Sequence, residues 1–321
     1  MDLALSVVLL AVGAGALYFG SKWLVDGAVA LALRNGVRPL VIGLTIVALG
    51  TSLPEAVLAV VSSLEGTNAI SLGNVIGANI SNGALVLGVA CLMGPVALKL
   101  SSLRRESFYL LLSGPLLAVL AYDGGLGFAD GAIMLLVLLA FFYTLYTSTC
   151  RGETCGVVAE EIERVEDVRP MSGPLIAILI ITGTAVLAVG AQAVVEGASG
   201  IAMAAGVSSE VVGLTLVAIG TSVPEMTIAV TASRKGQSEV VLGNVVGTII
   251  INTLFILGLG AIVGGYDTSG PETAAGIGFM IALSTAIVML LAVLDRGGKR
   301  IGAALLVAYA GYIAAIVLLF G

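Results

Sequence analysis

Histidine is absent from this 321-residue chain. Imidazole is the commonest ligand for zinc and related metals, so its absence argues against a zinc or iron carrier and excludes a histidine proton relay. Cysteine is scarce as well. Cys91, Cys150 and Cys155 form an odd set, with Cys91 inside an apolar run, and give no disulfide framework. Charged residues are only 11% of the chain, against about 25% in an ordinary soluble domain. Positive charge is the rarer sign, 14 Lys and Arg against 20 Asp and Glu, a net charge of −6. No basic surface for nucleic acid follows from that balance. Met1 to Leu10 contains Asp2 and no Lys or Arg. That is unlike the start of a signal peptide, so the first apolar run is expected to stay in the mature protein.

Apolar sequence fills the space. Hydrophobic residues make up 59% of the chain, and the mean hydropathy is +1.13. A soluble domain of this size could not hide so much apolar surface, and a membrane β-barrel would show short alternating segments instead. Ten runs are long enough to cross a bilayer as helices. They fall at roughly 3–33, 38–64, 69–97, 105–121, 129–148, 174–204, 209–233, 239–264, 273–294 and 301–320. The expected fold is an all-α integral membrane protein of ten transmembrane helices. The long connection, 149–173, carries Glu160, Glu161, Glu163, Glu166 and Asp167, reads as a solvated acidic face, and divides the chain into 1–148 and 174–321.

Thirteen of the 14 basic residues fall in the connections between runs 1 and 2, 3 and 4, 5 and 6, 7 and 8, and 9 and 10, leaving Lys22 inside the first run. The positive-inside rule places those connections, and the long acidic loop, in the cytoplasm of a multi-pass cell-membrane protein. Both termini are then expected outside.

The two parts are copies. Segment 41–55, VIGLTIVALGTSLPE, matches 211–225, VVGLTLVAIGTSVPE, at eleven of fifteen positions with an offset of 170. The same offset aligns LGNVIGANISN (72–82) with LGNVVGTIIIN (242–252), and Asp26-Gly27-Ala28 with Glu196-Gly197-Ala198. Five helices per copy is an odd number, so the second copy enters the membrane from the opposite face. Two inverted five-helix repeats of this kind are an architecture of secondary transporters.

Each copy places a glutamate, Glu55 or Glu225, well inside the hydrocarbon, where a charge costs roughly 2.5–3.5 kcal/mol on insertion scales. Thr51 and Ser52 precede Glu55, and Thr221 and Ser222 precede Glu225. Pro54 cannot donate to the Gly50 carbonyl and its ring pushes that carbonyl aside; Pro224 does the same in the second copy. Freed carbonyls are tolerated at membrane depth where they line a cavity or find other partners. The motif offers carboxylate, hydroxyl and carbonyl oxygens without nitrogen or sulfur, an environment for hard cations. Calcium takes six to eight oxygens; two bidentate glutamates and a carbonyl from each Gly-Thr-Ser turn supply six. Two negative charges balance one Ca²⁺ or two Na⁺. Magnesium, which holds its waters, fits less well.

Helices 3 and 8 form the opposite wall. Gly73-Asn74 with Gly77, and Gly243-Asn244 with Gly247, set small residues one turn apart for close packing. Asn74 and Asn244 read as interhelical hydrogen-bonding groups. Asn82 and Asn252, at matching positions, offer amide oxygens to the site. Asp26 and Glu196 read as structural, and Lys22, four residues before Asp26, is spaced so that it could pair with it.

Two copies of G-T-S-x-P-E, each followed by G-N-x-x-G, resemble the α-repeats of the calcium/cation antiporter superfamily, and most closely its prokaryotic sodium/calcium exchangers. The resemblance implies a secondary antiporter exchanging Na⁺ for Ca²⁺ by alternating access, with the ions as substrates, no cofactor and no obligate protein partner beyond the lipid bilayer. It implies that Glu55 and Glu225 are the central ligands and that Thr51 and Thr221 give backbone carbonyls to calcium. Ala48, Ser52, Ala218, Ser222 and Thr248 would serve flanking sodium sites, and Asn82 the middle of the site. Ala78 stands where archaeal members commonly carry Ser, and Asn252 where they carry Asp. A proton/calcium exchanger is the alternative within transport. A cation channel would need a continuous pore, and a membrane enzyme would need a nucleophile or metal centre, neither of which the sequence offers.

Overall fold

A computed structural model of the chain describes residues 3–65, 68–98, 100–150, 171–205, 220 and 222–320. It is built from helices and two very short ribbons. Helix α1 (Leu3–Asn35) leads into a segmented stretch: α2 (Pro39–Ile42), a π-helical turn (Gly43–Val47), α3 (Ala48–Thr51) and α4 (Leu53–Glu65). Next come α5 (Asn68–Ile80), a second π turn (Ser81–Val86), α6 (Leu87–Met93), α7 (Leu100–Leu120) and α8 (Phe128–Cys150). The second part holds α9 (Gly173–Ala204), α10 (Val223–Arg234), α11 (Ser238–Ile251), a third π turn (Asn252–Ile256), α12 (Leu257–Val263), α13 (Pro271–Val293) and α14 (Lys299–Phe320).

Among the described residues, seven helices are long and apolar enough to cross a membrane, or eight if the pair Pro39–Thr51 and Leu53–Leu64, bent by 45°, is one span. Two of the ten expected runs fall outside that count for visible reasons. Helix α7 opens with Arg104, Arg105 and Glu106 and kinks at Leu103, where φ is −127° and ψ 21°. The seventh run lies in part, at 209–219, outside the described residues.

Two further expectations are corrected. The run 38–64 is not one continuous helix but breaks at Ser52. The third helix stops at Met93 rather than at 97, because Val96–Ala97 (β1) pairs antiparallel with Arg296–Gly297 (β4). A matching ribbon joins Gly125–Leu126 (β2) to Tyr266–Asp267 (β3). An offset of 170 carries β1 onto β3, and carries β2 onto β4 to within one residue. The ribbons therefore pair the halves reciprocally. The Ser63 hydroxyl donates to the Gly260 carbonyl at 3.4 Å, and Ser233, its equivalent, donates to Ala90 at 2.9 Å.

Burial ranks the spans. The most apolar 18-residue stretch of Ser238–Val263 is 83% buried and that of Ser71–Met93 78%, whereas that of Leu3–Asn35 is 22% buried. The repeated G-N-x-x-G helices therefore form the centre, and α1 lies at the periphery. A Cβ on Gly243 would sit 2.5 Å from the Leu40 carbonyl oxygen, and one on Gly247 2.6 Å from that of Leu44. Only glycine lets α11 approach α2 and the first π turn so closely.

Helices α1 and α9 lie antiparallel, backbone against backbone. Gly13, Gly20 and Gly27 recur every seven residues, as do Gly183, Gly190 and Gly197. A Cβ on Gly13 would meet the Gly190 carbonyl at 2.8 Å, and one on Gly183 the Gly20 carbonyl at 3.0 Å. These contacts are reciprocal under the same offset. At 1.5 Å per residue, α1 is about 50 Å long, more than enough to span a hydrocarbon core of about 30 Å.

Candidate cation site

The repeated motif starts a helix in both copies. Ser52 has φ −83° and ψ 1°, and Ser222 has φ −90° and ψ 1°. Each lies two residues before a proline that cannot donate to the preceding turn. Glu55 lies in the first turn of α4 and Glu225 in the first turn of α10, and in the first copy α3 ends at Thr51, so the motif divides that helix in two. Helix N-termini favour negative side chains. The short α3 ends at Thr51 and directs its C-terminal carbonyls toward the same break, where a cation is favoured.

The facing wall is loosened in step. The π turns begin at Ser81 and Asn252, so Asn82 and Asn252 both sit where the ordinary helical hydrogen-bond ladder is interrupted. Packing crosses between the halves. Helix α4 lies against the π turn of Asn252, and α10 against that of Asn82.

These elements bury a group of oxygens that have no protein partner. Glu55 is 2% exposed and Glu225 0%; Ser52, Ser222, Asn82, Asn252 and Thr248 are no more exposed. Unpaired are Glu55 Oε2, both carboxylate oxygens of Glu225, the hydroxyls of Ser52, Ser222 and Thr248, Asn82 Oδ1, and both side-chain atoms of Asn252. Each buried polar group left unmade costs about 1–3 kcal/mol. The two carboxylates lie close enough to repel each other, with the Thr51 hydroxyl beside Glu225. Two buried carboxylates among such groups gain a counter-charge from a bound cation, toward which the carboxylate, hydroxyl and amide oxygens can turn. Those oxygens are hard ligands of the kind that suit Ca²⁺ or Na⁺.

Among the described residues, the expected site residues are all buried. Thr51 is buried, and its hydroxyl faces the Ala48 carbonyl at 3.2 Å and Asn244 Oδ1 at 3.5 Å. Ala48 is buried, and its carbonyl also accepts the Ser52 amide at 3.0 Å. In this conformation that oxygen is already engaged. Asn82 donates from Nδ2 to Ala78 at 2.8 Å, which leaves Oδ1 free to turn to an ion. Thr221 and Ala218 lie outside the described residues. Leu24, Gly50, Thr51, Pro54, Thr184 and Pro224 line a crevice too narrow to admit water, between the two prolines and the α1/α9 pair.

One expectation about a neighbour changes. Asp26 pairs with Lys235, not with Lys22, because α1 turns Asp26 toward the end of α10. Glu196 accepts from Gln192 Nε2 at 2.8 Å. Sequence reasoning also missed Asn79, which donates to Thr253 Oγ1 at 2.8 Å across the two halves. Its equivalent in the other copy is Ile249, so comparison of the repeats gave it no weight.

The chain is thus a polytopic helical membrane protein in which two buried glutamates mark a candidate cation site. A family model described as sodium/calcium exchanger protein matches residues 5–147 and 175–318, and the chain belongs to that family. It is 33% identical to the inner membrane protein YrbG of Escherichia coli over 261 residues, covering 81% of this chain and 80% of that one. It is 28% identical to the sodium/calcium exchanger MaX1 of Methanosarcina acetivorans, covering 90% and 91%. Among solved structures, the sodium-calcium exchanger NCX_Mj soaked with 10 mM Na⁺ and no Ca²⁺ superposes with a TM-score of 0.84 at 29% identity, covering 98% of this chain and all of that one. The family is one of transporters, not enzymes.

Proposed function

We propose that this protein is a secondary antiporter that exchanges Na⁺ for Ca²⁺ by alternating access, with Glu55, Glu225, Thr51, Ser52, Thr221, Ser222, Ala48, Ala218, Asn82, Asn252 and Thr248 forming its ion sites. The observation that carries this reading is the buried group of unpaired oxygens around two carboxylates. A net charge of −2 balances one Ca²⁺ or two Na⁺, so either cation load leaves the cage neutral, and alternate occupancy is what exchange requires. No cofactor is needed, since the ions are the substrates.

The reading includes ten spans arranged as two inverted repeats, 1–148 and 174–321, joined by a cytoplasmic linker at 149–173, with both termini outside. Three observations support it: the reciprocal ribbons, the reciprocal glycine contacts of α1 and α9, and a family model that matches on either side of 148–174. The names of MaX1 and NCX_Mj support sodium as the driving ion. The test is ⁴⁵Ca²⁺ uptake into proteoliposomes under an imposed sodium gradient and then under a proton gradient. Uptake driven by sodium is expected. Uptake driven by protons alone would replace sodium with protons in the cycle.

A further inference from the structure

The α1/α9 pair is joined to the rest of the bundle unequally. On α1, the Ser21 hydroxyl lies 2.8 Å from the Thr231 hydroxyl of α10, and one turn further Asp26 forms an ion pair with Lys235 just past the end of α10. Both contacts tie the second half of α1 to α10. An offset of 170 converts them to Ala191 with Val61 and Glu196 with Glu65. The first pair has no hydrogen-bonding group. The second places two acids where the existing contact has an acid and a base.

Exposure follows the same asymmetry. Thr227 and Thr231 on α10 are half-buried beneath α1. Their equivalents on α4, Val57 and Val61, are 61% and 42% exposed. The helix pair is therefore seated on the second copy of the motif helix and stands away from the first. A second ion pair lies on the same side: Arg38 holds Glu239 at the start of α11, and the equivalent positions are Ser208 and Ala69.

We propose that Asp26–Lys235, supported by Ser21–Thr231, is a latch that biases access toward the state closed on the face bearing Lys235. The inference rests on the inverted-repeat, alternating-access reading, in which the opposite state exchanges the roles of the halves. Seating α9 on α4 would then bring Glu196 toward Glu65 with no base between them. Closing the other face gains no ion pair and meets like-charge repulsion.

Binding at a face open only part of the time is weakened by the fraction of time it is open. The Asp26 and Lys235 side chains are 34% and 32% exposed, so the pair is a modest one. Breaking it should improve the apparent calcium affinity at the Lys235 face, relative to the other face, by roughly two- to fivefold.

The experiment measures the apparent calcium affinity of sodium-driven exchange separately at each face, in proteoliposomes of known orientation. Asp26→Asn and Lys235→Gln should each shift the ratio by that amount, reading the same bond from its two ends. The charge swap Asp26→Lys with Lys235→Asp should return the ratio toward wild type. Glu65→Lys, which places a base opposite Glu196, should shift the ratio in the same direction as Asp26→Asn without touching the latch. Intact exchange with an unchanged ratio in Asp26→Asn, Lys235→Gln and Glu65→Lys would overturn the latch. Absence of exchange in the wild-type protein would instead overturn the antiport reading on which it rests.

Discussion

Glu225→Gln isolates the electrostatics of the site with almost no change in shape. The wild-type cage carries −2 and is neutral with Ca²⁺. The variant carries −1 and would hold a net buried charge of +1 with the same ion. Glu225 is fully buried, so the loss of its charge is poorly compensated by solvent. Removing one member of a buried charge pair typically costs about 3–5 kcal/mol. At 1.4 kcal/mol per decade, calcium affinity should fall by about two to four orders of magnitude. The assay is ⁴⁵Ca²⁺ flux in proteoliposomes, paired with calcium-dependent thermal stabilisation in detergent. At a ligand concentration of about 100 times Kd, wild type gains about 2.7 kcal/mol from binding, and the variant at the same calcium concentration should gain almost nothing. Glu55→Gln should behave alike, because Glu55 occupies the equivalent first turn and is as deeply buried. Insertion and monodispersity should be preserved. Flux within threefold of wild type in either variant would place the calcium site elsewhere.

Other perturbations probe neighbouring parts of the account. Asn252→Asp raises the cage charge to −3, so sodium dependence should change more than calcium affinity, and flux should fall as pH is lowered through the titration of the added acid; superimposable flux, sodium and pH curves would make Asn252 a packing residue. Gly243→Val forces a side chain into the Leu40 carbonyl and should destabilise the protein by about 1–3 kcal/mol, read as a lowered melting temperature in detergent. Cys150 and Cys155 should resist a membrane-impermeant thiol reagent applied outside intact cells and react after permeabilisation; labelling from outside would reverse the proposed orientation. Asn79→Leu removes the Thr253 hydrogen bond across the halves and should lower stability by about 0.5–1.5 kcal/mol, measured by thermal unfolding.

The motif was legible in the sequence because it violates composition. A glutamate and a proline within a long apolar run stand out, and their repetition at one offset removes chance. Helix positions were legible for a related reason, since bilayer thickness fixes the length of each span. The break at Ser52 was only half legible: Pro54 signals a defect, but its place depends on which turn gives way. The π turns at Asn82 and Asn252 have no local signature, and the helices they lie against, α10 and α4, are distant in sequence. The partner of Asp26 was not legible: spacing along α1 brings only Lys22 within reach, while the actual base approaches from a loop some 200 residues away. The ribbons of two residues each are set by how the halves dock, and such short pairings leave no alternating pattern to read.

The central claim is that the buried oxygens around Glu55 and Glu225 hold the transported cation. Anomalous diffraction from crystals grown in Ca²⁺ tests it most directly. The account predicts one strong peak between the two carboxylates, about 2.3–2.6 Å from its oxygen ligands, that disappears when Na⁺ replaces Ca²⁺. A peak confined to the surface acids Asp123, Asp130 and Asp267 beside the ribbon of β2 and β3, with none between the glutamates, would contradict it.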